Sequence, residues 1–225
     1  MWNDEILERI RQVDPATIGH HVANGYMHAA IKPINRHTRV LGPAFTVLME
    51  GRDAGPLHLA FQEAPKGSVI VVDHSSAPEY APVGDIVALY AKTRGFAGIV
   101  IDGAVTDSLG IEALGYPVFS TGISVVTTEI LGISGAVNVP IVCAGAYVRP
   151  GDIIFGDADG VVVLPEKDIG HLLEKAEAGK AREEAVRKRY LEGKQNIINI
   201  EALYQAHLRA EIARLKKLPY GEEET

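Results

Sequence analysis

The strongest constraint in this chain is a pair of short, almost wholly apolar runs with a helical stretch between them. Ser68-Val69-Ile70-Val71-Val72-Asp73 and Ala97-Gly98-Ile99-Val100-Ile101 both lack polar alternation. A strand of that kind has to be covered on both faces. Between the two runs, Asp85 to Thr93 places Ile86, Leu89 and Tyr90 on or near one helical face, and Arg94-Gly95 closes the segment. Glycine commonly ends a helix in this way. Strand, helix, strand implies a parallel pair joined by a crossover, and so an α/β sheet.

Further elements extend this unit on both sides. Trp2, Ile6, Ile10 and Val13 recur at helical spacing, and a second short helix is expected over Ile18 to Met27. Ala44 to Met49 reads as a buried strand after Gly42-Pro43, followed by a helix over Leu57 to Glu63. Ser108 to Leu114 reads as a short helix and Pro117 to Phe119 as a short strand. Beyond them, Val139–Cys143, Ala146–Val148, Asp152–Phe155 and Val161–Leu164 are short strands broken by Gly and Pro turns, a mainly β layer added to the first sheet. Glu166 to Glu192 is charged and helical. A last helix over Ile198 to Lys216 carries a stripe of Leu203, Leu208, Ile212 and Leu215, which packs either on its own domain or on a neighbouring subunit. The expected organisation is one domain over residues 1–192 and a helical extension and tail over 193–225.

A net charge of −7 disfavours nucleic acid as a partner, since phosphate binding is driven by clustered Lys and Arg. The single cysteine, Cys143, cannot form an internal disulfide and suits a reducing compartment. The N-terminus lacks the basic start and apolar run of a signal peptide, and no apolar run approaches a membrane span. A cytoplasmic protein without a membrane association is expected.

Two places carry chemistry. Gly84-Asp85 opens a helix, where free N–H groups and the helix dipole favour an anion; Asp85 also suits a plain helix cap. Asp102-Gly103-Ala104-Val105-Thr106-Asp107 forms a turn beyond the C-terminal end of a parallel strand, where ligands of open α/β sheets bind. Two carboxylates on a rigid turn suit a hard cation such as Mg²⁺ or Mn²⁺. Alternatively, Asp102 satisfies loop amides and Asp107 caps the helix that starts at Ser108. Asp157-Ala158-Asp159-Gly160 reads as a tight turn between strands. His20, His21, His58, His74 and His207 show no zinc spacing and read as ordinary polar residues. Cys143 reads as packed. No Walker loop, dinucleotide fingerprint or serine elbow is present.

These segments together resemble the RraA-like family, which includes the class II 4-hydroxy-4-methyl-2-oxoglutarate aldolases and members labelled demethylmenaquinone methyltransferase. The matching pieces are 40–47, 67–73, 84–88, 98–107, 116–119 and 150–163. The resemblance implies a three-layer β/β/α swivelling-domain fold, assembled as a homotrimer or homohexamer with the active site between subunits. It implies that Asp107 binds the divalent metal, Mg²⁺ or Mn²⁺, and that Asp85, 22 residues earlier, supports it. The backbone amides of Gly84, Asp85, Ile86 and Val87 would hold the substrate carboxylate. Glu183 or Glu184 would reach in from a neighbouring subunit. The implied reaction is retro-aldol cleavage or decarboxylation of a small 2-oxo acid through a pyruvate enolate.

The chain departs from the aldolase pattern at Thr106, where the aldolases carry an arginine that bonds the enolate oxygen. Threonine offers one neutral, shorter hydrogen bond. Arg149 is a candidate substitute cation. Gly19-His20 stands where many relatives have a Ser-Asp pair. Three functions fit: a metal-dependent lyase, a related metal-dependent sugar-acid enzyme, or a non-catalytic regulator of the RraA type.

Overall fold

The computed structural model describes residues 4–22, 24–165, 167, 169–193 and 200–215. The chain divides into two compact units, Met1–Ala181 and Arg182–Thr225.

The first unit begins with α1 (Asp4–Arg11) and α2 (Pro15–Gly19), then β1 (Lys32–Pro33) and β2 (Val40–Leu48). Next come α3 (Gly55–Glu63), β3 (Val69–Asp73), β4 (Tyr80–Ala81), α4 (Asp85–Arg94), β5 (Gly98–Val105), α5 (Ser108–Leu114) and β6 (Val118–Ile123). The remaining strands are β7 (Val126–Thr127), β8 (Ala136–Val137), β9 (Ile141–Cys143), β10 (Ala146–Val148), β11 (Ile153–Asp157) and β12 (Gly160–Leu164). They are followed by α6 (Ile169–Leu191) and α7 (Ile200–Leu215). Among the described residues, no helix is long and apolar enough to cross a membrane.

Eight strands form one sheet in the order β1-β6-β5-β3-β2-β11-β12, with β8 also paired to β2. Its centre is parallel: β2 runs beside β3, β3 beside β5 and β5 beside β6. The edges β1, β11 and β12 are antiparallel to their neighbours. The apolar runs behave as their composition demands. Ile70 and Val72 face one core with Ile99 and Ile101, covered by Leu57 and Phe61 of α3, Ala88 and Ala91 of α4 and Ile111 of α5. Val69, Val71 and Val100 face the opposite core, covered by Ile141, Cys143, Ala146 and Val148 of the separate β9–β10 hairpin. Helices, sheet and a second β layer make a three-layer β/β/α arrangement. A third core joins Ile10 and Val13 at the N-terminus to Ile153, Phe155 and Leu164 of the sheet edge and Leu173 of α6.

The helix expected over Ile18 to Met27 is absent beyond Gly19. Tyr26 forms an antiparallel bridge with Val162, the Met27 N–H donates to Val161 O at 3.0 Å, and Val163 N–H donates to Gly25 O at 2.7 Å. Gly25, Tyr26 and Met27 spend backbone groups on β12, which a helix could not do. Asp157↔Gly160 closes the β11–β12 hairpin, so Asp159-Gly160 turns a strand pair as its composition suggests. In the terminal stripe, Leu208 and Ile212 are exposed; the side chains of Leu203 and Leu215, and the tail after 215, lie outside the described residues.

Candidate functional site

The C-terminal ends of β3 and β5 meet at Asp73↔Asp102, and the chain beyond β5 turns sharply into α5. The turn is held at every step. His74 N–H donates to Asp102 O at 3.2 Å, Thr121 Oγ1 to Gly103 O at 3.1 Å, and Ala104 N–H to Pro78 O at 3.0 Å. Thr106 N–H donates to Val83 O at 2.9 Å, which brings the start of α4 against the turn. Ala144 N–H donates to Asp102 Oδ2 at 2.8 Å. Asp102 therefore fills the structural role open to it, satisfying a loop amide from the β9–β10 hairpin.

Asp107 behaves differently. It is the N-cap residue of α5, yet its side chain makes no capping hydrogen bond, and its backbone is left-handed at φ 51°, ψ 39°. A non-glycine residue rarely adopts this conformation, and when it does so without a local hydrogen bond the surroundings impose it. The carboxylate lies against Gly84: a methyl group there would collide with Asp107 Oδ2 and sit 3.1 Å from Thr106 Cγ2. Gly84 is thus required by close approach. It is the N-cap of α4, so Asp107 and Thr106 stand at the end of that helix where free N–H groups gather. Asp85, the first residue of α4, packs against Gly110 of α5, where an added methyl would be 2.8 Å from Asp85 Oδ2. Among the described residues, neither the Asp85 nor the Asp107 carboxylate has a hydrogen-bond or ion-pair partner. Asp85 is half-buried and Asp107 exposed.

Gly84, Asp85, Thr106 and Asp107 therefore converge at the starts of α4 and α5. Two unpartnered carboxylates suit a hard divalent cation, which needs few protein oxygens because it keeps several waters, while the adjoining helix N-terminus suits an anion bound beside it. No group of three or more His, Cys, Asp or Glu that could hold a metal occurs among the described residues. Glu183 and Glu184 lie on α6 in the second unit and are exposed. Arg149 lines a cavity that shares no residue with 84–87 or 102–107, and its guanidinium stacks 5.3 Å from the Tyr147 ring centre.

Two further residues shape the surroundings, one misread in the sequence and one missed. His74 is fully buried beneath the turn, next to Gly103, rather than an ordinary polar residue. Its Nε2 faces Gly51 O at 2.7 Å and so carries the proton, while Nδ1 has no partner among the described residues. Asp53 accepts N–H groups from Gly55, Leu131, Gly132, Ile133 and Ser134 at 2.7–3.2 Å. Burial alone would raise its pKa, but the amides outweigh this and hold the carboxyl well below the usual carboxylate range. The signal was Asp53 just before Gly55-Pro56 at a helix start, though its partners 78 and more residues away were not visible locally. Cys143 is packed, as expected: burial, with the nearby Asp102 and Asp73 charges, pushes its thiol up.

The family model described as Aldolase/RraA matches residues 15–163. The chain belongs to the RraA-like family. A Halalkalibacterium halodurans protein, provisionally named a 4-hydroxy-4-methyl-2-oxoglutarate aldolase, is 43% identical over 157 residues, covering 70% of this chain and 74% of that one. An uncharacterized Methanocaldococcus jannaschii protein is 36% identical over 176 residues, covering 76% and 84%. Among solved structures, Streptomyces coelicolor RraAS2, described as an unusual member of the RNase ES inhibitor RraA family, superposes with a TM-score of 0.72 at 27% identity, covering 83% and 97%. The RraA-like family thus joins proteins named for aldol chemistry to proteins named for inhibiting RNA processing, and its fold is the three-layer arrangement described above.

Proposed function

We propose that this RraA-like protein is a divalent-metal-dependent lyase that cleaves or decarboxylates a small 2-oxo acid. The observation that carries the reading is Asp107: a left-handed, uncapped aspartate pressed against a glycine N-cap, with Asp85 unpartnered beside it. Asp107 would hold Mg²⁺ or Mn²⁺ with support from Asp85, and the ion would supply positive charge where negative charge develops on the keto oxygen. The first amides of α4, from Gly84 to Val87, would bind the substrate carboxylate, helped by the helix dipole. The Thr106 hydroxyl would donate one hydrogen bond to the reacting oxygen. It replaces a charged donor, and losing one such donor costs roughly 10²–10³ in rate, so turnover slower than that of the arginine-bearing aldolases is expected.

The site would be completed by another copy of the chain. Ile86, Leu109, Ile123 and Val125 stand exposed on the elements that carry or adjoin the turn. Exposed apolar surface concentrated around a functional site suits burial by a partner subunit. A homotrimer or homohexamer would bring Glu183 or Glu184 of a neighbour toward the site and exclude water from it.

The test is pyruvate release from oxaloacetate, with Mg²⁺ or Mn²⁺ and with chelator. Metal-dependent turnover that falls at least 100-fold in Asp107→Ala supports the reading. A second reading, a non-catalytic regulator, is favoured by Thr106 alone. Saturable Mn²⁺ binding in calorimetry, abolished in Asp107→Ala, argues against the regulator, which has no use for a metal ligand. Absence of both turnover and Mn²⁺ binding overturns the lyase.

A further inference from the structure

Against an overall charge of −7, one cavity of the first unit carries two fixed cations on its wall. Its volume is about 820 Å³, within the range that takes small-molecule ligands. Arg149 and Lys175 are fixed positive charges on its wall, and His21, His28 and His171 add three imidazoles. Neither Arg149 nor Lys175 has a carboxylate within ion-pair distance among the described residues, although the chain carries 29 acidic side chains. Unpaired cations facing one hollow are the arrangement that attracts and concentrates anions.

The opposing charge comes from Asp152 in the lining and from Glu174, whose Oε2 lies 3.9 Å from His171 Nδ1. Asp152 is the carboxylate in the lining, and its Oδ2 accepts the Arg149 N–H at 2.8 Å. Burial raises its pKa, with the Arg149 amide and guanidinium acting the other way.

These wall groups are also positioned. Arg149 lies over the Tyr147 ring at 5.3 Å, which restrains the plane of its fork, a group suited to bidentate oxyanion contact. His28 is anchored through its own N–H to Ala144 O at 2.8 Å, and its imidazole lies against Gly145, at φ +78°, where no side chain fits. Lys175 comes from α6, whose buried Leu173 and Ala176 seat it on the sheet edge. Two separate stretches of chain thus bring a fixed cation to one cavity wall, with the His28 imidazole beside them.

We propose that this cavity is a binding site for a small multivalent oxyanion, of the phosphorylated or polycarboxylate kind, distinct from the site at Asp107. The bound anion bridges Arg149 and Lys175, with the imidazoles as hydrogen-bond donors around it.

The test is calorimetric titration of the full chain, in metal-free chelexed buffer at fixed ionic strength, with pyrophosphate in one arm and citrate in the other. The expected result is saturable 1:1 binding in at least one arm, the tighter arm naming the class. Arg149→Gln and Lys175→Gln each weaken it at least tenfold, and Asp107→Ala leaves it unchanged. Both cations are exposed, so circular dichroism and thermal melting should match the wild type. The proposal is overturned if neither probe saturates, if binding persists in the Arg149→Gln, Lys175→Gln double variant, or if Asp107→Ala abolishes it. Because no turnover and no metal enter this measurement, its failure leaves the lyase reading untouched, and the reverse also holds.

Discussion

Asp107 is held at φ 51° while its carboxylate makes no hydrogen bond that would offset the strain. The left-handed conformation costs an L-residue about 1–2 kcal/mol, less for aspartate than for most, and glycine escapes it. Asp107→Gly should therefore keep or raise stability, by up to about 1 kcal/mol, while abolishing the proposed lyase turnover. Paired urea melts and oxaloacetate assays check both halves; a destabilised variant would show that the carboxylate has a structural partner. Asp53 presents the opposite case, a carboxylate saturated with amides. Its pKa is lowered on folding, so its contribution to stability is present above the unfolded value of about 3.9 and is lost as pH falls through the depressed folded value. Asp53→Asn should be less stable than the wild type at pH 7, and the difference in urea midpoint should close as pH falls below about 4. A gap constant with pH would contradict this account.

At the level of elements, the third core shows which contacts carry weight. Arg9 reaches Glu177 with two hydrogen bonds of 2.8 and 2.9 Å, joining α1 to α6. Both side chains are over a third exposed, and water screens such a pair to less than about 1 kcal/mol. Leu173, fully buried one turn earlier in α6, is a different matter. Leu173→Ala should cost about 2–5 kcal/mol through lost burial and the cavity left behind, against less than about 1 for Arg9→Ala. Chemical denaturation of both variants separates the two effects. The elements that sequence located best are those whose patterning is local: β3, β5 and α5 fall within a few residues of their apolar runs, and α4 ends at Gly95 as composition implied. The 20–27 segment was misjudged because its hydrogen bonds go to β12, some 135 residues away, and an amphipathic pattern carries no record of that. That Gly84, Asp85, Thr106 and Asp107 come together was legible because each sits at a strand or helix end. Which aspartate is occupied and which is free was not legible: that is decided by Ala144, which arrives from another layer.

At the scale of the molecule, the densest run of exposed apolar side chains among the described residues is 123–133, with Ile86 and Leu109 exposed on the first turns of α4 and α5. Val125 is 93% and Ile133 79% exposed. Surface of that kind is normally covered by another chain. If these residues form the contact between copies, Val125→Asp should shift the chain toward a monomer, read by light scattering after size exclusion, and lyase turnover should fall with it. A wild type that is monomeric at micromolar concentration would remove both the interface and the shared site.

The grip of Asp53 on the 131–134 loop has one more consequence. Every group it binds there is a main-chain N–H, so the anchoring does not depend on what Leu131, Ile133 or Ser134 carry as side chains. Such a loop can exchange its outward-facing residues while its path stays the same, proline excepted because it lacks the N–H. The fold in effect has a socket for interchangeable surface: one fixed carboxylate sets the shape, and mutation is free to rewrite what that shape displays.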